Sequence, residues 1–230
     1  MKNPTRFRRT IAAACLLATA VLSVVSVVLS PEFVSGGREQ LQAIDDAGAT
    51  ATISLFAFVL AQLPFLGAVL GVAHLLRERA PVLSNLGAAL GAVGAFGHAV
   101  YGGGQLVSVT MVAEGGDREA YGAVLDRFQS SPAMAFAAMG LLGTVLGLLL
   151  LAIGLWRARV GARWVPAALG AFLVVEFVGA NITEWASVLA GAIYLAALAA
   201  LAVTIWTLGD RDWDAVALPE PRREALPAGV

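Results

Sequence analysis

The chain has 230 residues, 59% of them hydrophobic and 13% charged, with a mean hydropathy of +0.80 and a formal net charge of −1. A soluble domain carries about 25% charged residues, so a water-soluble fold is excluded, and no basic patch suits a nucleic acid. One cysteine, Cys15, leaves no internal disulfide and no thiolate metal site.

An apolar run of about 20 residues crosses a hydrocarbon core of about 30 Å. Six such spans are read at about 11–30, 51–76, 85–104, 133–156, 165–182 and 185–208. All are rich in Ala, Leu, Val and Gly, and the alternating segments of about ten residues that mark an outer-membrane barrel are missing. Span 1 follows Arg6, Arg8 and Arg9, as the core of a signal peptide does. The run from Thr10 to Ser30 is long for such a core, and Pro31 follows the expected cut, so span 1 is expected to stay uncleaved. Ala12-Ala13-Ala14-Cys15 places its cysteine too early in the run for a lipoprotein box, and Cys15 reads as core packing. Thr19, Ser23, Ser26 and Ser30 recur at i, i+4, i+7 and i+11, a stripe expected to face protein or a wet cavity. Bonding to their own helix backbone is the simpler alternative.

Residues 31–50 read as a loop with Gly36-Gly37 and an acidic end, Asp45-Asp46. In span 2, Gln62 lies roughly 21 Å from the basic end, and Pro64 predicts a kink. In span 3, His98 lies about 20 Å deep at helical rise, with Tyr101 and Gln105 on its face at i+3 and i+7. Gly102-Gly103-Gly104 marks either the helix end or an unwound stretch beside a ligand. Between residues 105 and 132, Ala120, Tyr121, Val124, Leu125 and Phe128 predict a short amphipathic helix, read either as a lid or as packing on the rim. Span 5 holds Glu176, about 17 Å deep. Asn181 and Glu184, beside Trp185, read as interfacial anchors. Gly209 to Val230 is polar, with three prolines, and reads as a disordered tail.

Charge orients the spans. Twelve of the fifteen basic residues, including Arg77, Arg79, Arg157, Arg159, Arg163 and Arg211, fall at one set of span ends. The other side holds Arg38, Arg118 and Arg127 against nine acids. The positive-inside rule then predicts both termini in the cytoplasm and an even number of spans. Fourteen arginines against one lysine suggest a GC-rich bacterial genome, hence a bacterial plasma membrane.

Leu66-Gly67, Leu70, Leu75, Arg77 and Arg79 match Leu146-Gly147, Leu150, Leu155, Arg157 and Arg159. Ala88-Ala89-Leu90-Gly91-Ala92 matches Ala167-Ala168-Leu169-Gly170-Ala171 after a one-residue gap. Spans 2–3 and 4–5 therefore read as parallel copies of one hairpin, although positive-inside placement alone explains the paired arginines. Gly67-x-x-x-Gly71, Gly87-x-x-x-Gly91 and Gly143-x-x-x-Gly147 permit close backbone approach, either inside the chain or at a homo-oligomer face.

A charge in the bilayer costs at least about 2.5–3.5 kcal/mol, so His98 and Glu176 stand out. Their depths nearly match, and the repeat pairs Glu176 with Gly97, next to His98. If they face each other they can share a proton or form an ion pair, as a relay or a substrate anchor; a structural hydrogen bond is the alternative. His74 is only a few residues from Arg77, roughly 15 Å in height from His98, so the two cannot hold one haem. One histidine and one glutamate make at most half a zinc site, and the sequence motifs of phosphate loops, serine hydrolases and zincins are missing. No cofactor is expected.

The six-span pattern, the R-x-R turns and the Ala-Ala-Leu-Gly-Ala segments resemble small six-span membrane proteins of actinobacterial type. That resemblance implies a bundle and no particular activity. The chain is thus expected to be an all-α membrane protein. Residues 1–208 form an antiparallel six-helix bundle with a short external amphipathic helix, and 209–230 form a cytoplasmic tail. Membrane lipids, a small-molecule ligand and a second copy meeting through the glycine faces are the expected partners. Small-molecule or lipid binding or transport at a site of His98, Glu176, Tyr101, Gln62 and Gln105 is the leading function. A scaffold subunit and a membrane-embedded enzyme acting on a lipid or quinone are the alternatives.

Overall fold

The structure is a computed structural model that describes residues 3–31, 35–113, 117–183 and 185–214. Its elements, in order, are α1 (Pro4–Leu29), α2 (Gly37–Ala47), α3 (Ala49–Leu76), α4 (Pro81–Ala113), α5 (Arg118–Gln129), α6 (Met134–Ala158), α7 (Val165–Phe177), a 3-10 turn (Gly179–Asn181), α8 (Trp185–Thr207) and α9 (Asp210–Asp214). There is no strand among the described residues. Local chemistry sets several ends. Asn3 caps α1 by accepting from the Arg6 N–H at 3.0 Å, with Pro4 opening the helix. Asp117 caps α5 by accepting from the Glu119 and Ala120 N–H groups. Gly48 joins α2 to α3 at φ +56° and ψ −124°, a conformation that only glycine adopts without strain.

Five helices, α1, α3, α4, α6 and α8, are long and apolar enough to cross a bilayer, so the molecule is a multi-pass membrane protein. Helix α7 has 13 residues, about 20 Å, short of a full crossing by itself. On α8, Trp185 and Trp206 are both well exposed and stand about 32 Å apart at helical rise, matching a hydrocarbon core with an aromatic at each interface. The outward faces carry exposed Leu63, Leu142, Val174 and Val203, side chains suited to lipid.

The six apolar helices form a closed ring in chain order. Each packs on the next through α1, α3, α4, α6, α7 and α8, and α1 closes the ring on α8. The tightest seam joins α4 to α6. A Cβ on Gly94 would come 2.6 Å from Thr144 Oγ1, one on Gly143 2.7 Å from the Leu90 carbonyl, and one on Gly147 2.6 Å from the Gly91 nitrogen. Gly67 and Gly71 similarly receive Cys15 and Ala12 of α1. All three predicted glycine motifs are therefore engaged within the chain.

At one end of the ring the basic segments meet. The Arg79 guanidinium donates to the Ala158 carbonyl at 3.2 Å, bringing the α3–α4 and α6–α7 turns together. Helix α9 docks on the same face: Asn3 donates to Asp210 at 2.8 Å, Arg9 pairs with Asp210 at 3.2 Å and Arg8 with Asp214 at 3.3 Å. Trp213 is buried, its ring 4.5 Å from that of His74, and its carbonyl accepts from Arg77 at 3.0 Å. The expected disorder of the tail is corrected for Asp210–Asp214; residues 215–230 lie outside the described residues.

The opposite end is capped by α2 and α5. Gly37 N–H donates to Asp126 at 2.7 Å, Gln129 donates to Gln40 at 2.7 Å, and Arg118 pairs with Asp45. The amphipathic helix over 117–128 forms as α5. The loop expected over 31–50 contains helix α2 instead, because Leu41 and Ile44, three apart, bury one face of it. Helix α4 also runs through the triple glycine to Ala113, where a span ending near 104 was expected. Gly102 gives room to Phe58 and Val59, and Gly104 to Phe128, so these glycines serve packing within an unbroken helix. Helix α3 likewise continues through Pro64.

Candidate functional site

The basic half of the ring is solid. Leu16, Val69, Leu151, Leu155, Leu169, Leu201 and Ile205 are almost fully buried there and leave voids of only about 20 Å³. Above this plug the packing opens into a central cavity of about 260 Å³, and every helix of the ring contributes to its wall. The contrast follows from the sequence. Leucine and alanine interdigitate in the plug, whereas glycine, hydroxyl residues and widely spaced aromatics meet at mid-depth and do not fill the space.

The cavity's polar groups come from all sides. Helix α1 supplies Thr19, Ser23 and Ser26, the predicted stripe; α3 supplies Gln62, and α4 supplies His98. Helix α6 adds Thr144, α7 adds Glu176 and α8 adds Tyr194. His98 owes its position to Gly140 of α6, where an added Cβ would crowd the imidazole, 2.9 Å from its Cγ. Its Nδ1 lies 3.4 Å from the Thr144 hydroxyl, and the Phe58 ring stands edge-on to it at 5.4 Å. The Thr144 hydroxyl donates to an unprotonated Nδ1 or accepts from Nδ1–H, according to the tautomer. Glu176 has the Ser187 hydroxyl as its hydrogen-bond neighbour, and Tyr194 has that of Thr19. Gln62 anchors its amide on the Phe58 carbonyl at 2.8 Å, and Thr19 donates to the Ala61 carbonyl at 3.3 Å.

Helix α6 stands between α4 and α7 in the ring, so His98 and Glu176 line one cavity from different sides without packing helix against helix. No hydrogen bond joins them among the described residues. The direct pairing expected of them, as a shared proton, an ion pair or a structural bond, is therefore corrected to two groups held on separate partners around one space.

Tyr101 and Gln105 are not with them. They bond each other, Gln105 Nε2 donating to the Tyr101 hydroxyl at 2.7 Å, and line a second cavity of about 230 Å³ under α2. Ser26 and Phe58 belong to both cavities, so the two are stacked with Phe58 between them. Gln105 is buried and its carbonyl oxygen has no protein partner among the described residues. The five predicted residues thus divide into an inner set, Gln62, His98 and Glu176, and an outer set, Tyr101 and Gln105. Of the two interfacial anchors, Glu184 lies outside the described residues, and the Asn181 backbone forms part of the 3-10 turn.

Sequence reasoning passed over Thr144 and Tyr194. Both lie at the depth already marked by His98: 14 residues from the basic end of α6 and 13 from that of α8, about 20 Å in each case. The same depth comparison, extended from charged residues to hydroxyls, finds them. His74, the other histidine, stands at the basic face beside Trp213. No cluster of three His, Cys, Asp or Glu residues is present among the described residues. Comparison with protein-family models, curated proteins and solved structures gives no match.

Proposed function

We propose that the protein binds a small molecule in its central cavity and moves it across or out of the bacterial plasma membrane. The observation that carries this reading is the convergence of polar groups from all six ring helices on one cavity at mid-depth. Polar groups in a membrane interior are costly and mark a substrate pathway unless paired for structure. Here they pair locally, His98 with Thr144 and Tyr194 with Thr19, and still surround about 260 Å³ of space. Such a volume is smaller than a typical drug-sized pocket of about 300–1,000 Å³, which suits a compact ligand. The leucine plug on the basic side and the stacked second cavity on the other favour entry from the α2–α5 end.

In this reading the ring is a six-span bundle with both termini cytoplasmic. The N-terminus of α1, the C-terminus of α8 and both basic turns share one face, which calls for an even number of crossings. Helix α7 with the following 3-10 turn then serves as the sixth, and positive-inside places that face in the cytoplasm. The scaffold alternative is less well supported, because the glycine motifs that would form its docking faces pack inside the chain.

The test is to purify wild type, His98→Ala and Glu176→Gln in detergent. Thermal stability is compared, and co-purified small molecules and lipids are identified by mass spectrometry. A bound molecule lost from both variants at unchanged stability supports the reading. Loss of several kcal/mol of stability with the bound content unchanged makes the pair structural and overturns it.

A further inference from the structure

We propose that the central cavity is a site for a small organic cation, with Glu176 as its counter-charge and aromatic rings as its walls. This rests on the cavity-binding reading above and names its ligand class. Three observations converge on it.

The first is the charge inventory. Among the described residues, Glu176 is the only acid lining the cavity, and no lysine or arginine lines it. The titratable groups that share the space are His98 from α4 and Tyr194 from α8; α1, α3 and α6 present only hydroxyl, amide and apolar groups. A carboxylate in a membrane interior needs either a proton or a positive partner, and this cavity offers no permanent one. An anion would find no lysine or arginine to pair with among the described lining residues. A neutral ligand would gain nothing from a carboxyl that a glutamine does not supply at lower cost.

The second is the wall. Phe172 and Tyr194 stack with centroids 4.5 Å apart, and Phe177 stands nearly perpendicular to Phe172 at 6.4 Å and 71°. Phe58 and Phe65 line the space from α3. Five Phe and Tyr rings thus share one cavity with one acid, the combination that aromatic cages use for alkylammonium groups. The third is size. The cavity exceeds the roughly 150 Å³ that accommodates benzene, far more than a metal ion fills, and a metal would require several converging oxygen ligands.

A consequence follows for exchange. An uncompensated carboxylate is costly at this depth, so the proton of a carboxyl and an entering cation are alternatives at Glu176. An entering cation breaks that O–H bond, the proton leaves to water on the outer-cavity side, and the carboxylate stays paired with the cation. One positive charge enters as one leaves, so the cavity's net charge is constant.

The experiment uses the full chain in uncharged detergent, titrated calorimetrically with benzyltrimethylammonium and with its neutral carbon isostere, neopentylbenzene. Titrations in two buffers of different ionisation enthalpy count the protons released. The expected result is cation binding with release of about one proton. Affinity should rise from mildly acidic to mildly alkaline buffer and fall at least about tenfold in E176Q. Phe172→Leu should weaken the cation while keeping proton release; should E176Q not fold, this variant and the wild-type proton count decide. If the neutral isostere binds as tightly as the cation, or E176Q keeps cation affinity, the charge inference fails while the cavity reading stands. If neither probe binds and mass spectrometry also finds no retained molecule, both fail.

Discussion

His98 keeps its place through two residues of the neighbouring helix. Gly140 leaves the room and Thr144 offers the hydroxyl. Gly140→Ala is expected to push the imidazole off its partner and to cost about 1–3 kcal/mol, the usual penalty of overpacking. A thermal unfolding series in detergent checks this, with Gly170→Ala as control, because nothing lies within 4 Å of a Cβ there. At this scale the sequence was informative wherever burial is costly. His98, Glu176 and Gln62 stood out because polar groups are rare at their depth. Thr144 and Tyr194 did not, since a hydroxyl in a helix can bond its own backbone and leave no sign of a cavity.

Among the elements, the α4–α6 seam relies on backbone proximity. Gly143→Leu sets a side chain against the Gly94 backbone and the Leu90 carbonyl. It is expected to abolish the folded monodisperse species in size-exclusion chromatography. The cap at the other end is weaker. Arg118 and Asp45 are each about 40% exposed, so Arg118→Ala should cost well under about 1 kcal/mol. Gly122→Leu, which meets the Arg38 backbone at 2.8 Å, should separate α2 from α5 and raise proteolysis of both without unfolding the ring. Long apolar helices were legible from hydropathy, and α5 from its helical spacing. Helix α2 was not, because Leu41 and Ile44 are only two anchors in a charged segment. Helix α9 has five residues, too few for any periodicity, and exists through Trp213 docking on His74.

At the scale of the whole molecule, the basic face is held by its own termini. Trp213→Ala is expected to release α9, seen as new protease cleavage near residues 208–214, while the ring's helical content stays unchanged in circular dichroism. The sixth crossing has a direct test. With Cys15 replaced by serine, single cysteines at the exposed positions Ala162 and Thr183 flank α7. An impermeant maleimide added to intact cells should label Thr183→Cys only, and Ala162→Cys only after permeabilisation. Labelling of both from one side would make α7 a re-entrant element.

The closure of the ring between α1 and α8 also governs the order of biogenesis. Helix α8 follows the other five ring helices in the chain, so the wall it shares with α1 closes after theirs. Thr19 meets the Ala61 carbonyl as soon as α3 is in place, whereas the Tyr194 side of the cavity stays open until α8 arrives. A chain cut before α8 therefore lacks the Gly191 and Tyr194 wall of the cavity. An interrupted chain of that kind is recognisable by the open seam that α1 presents in place of α8.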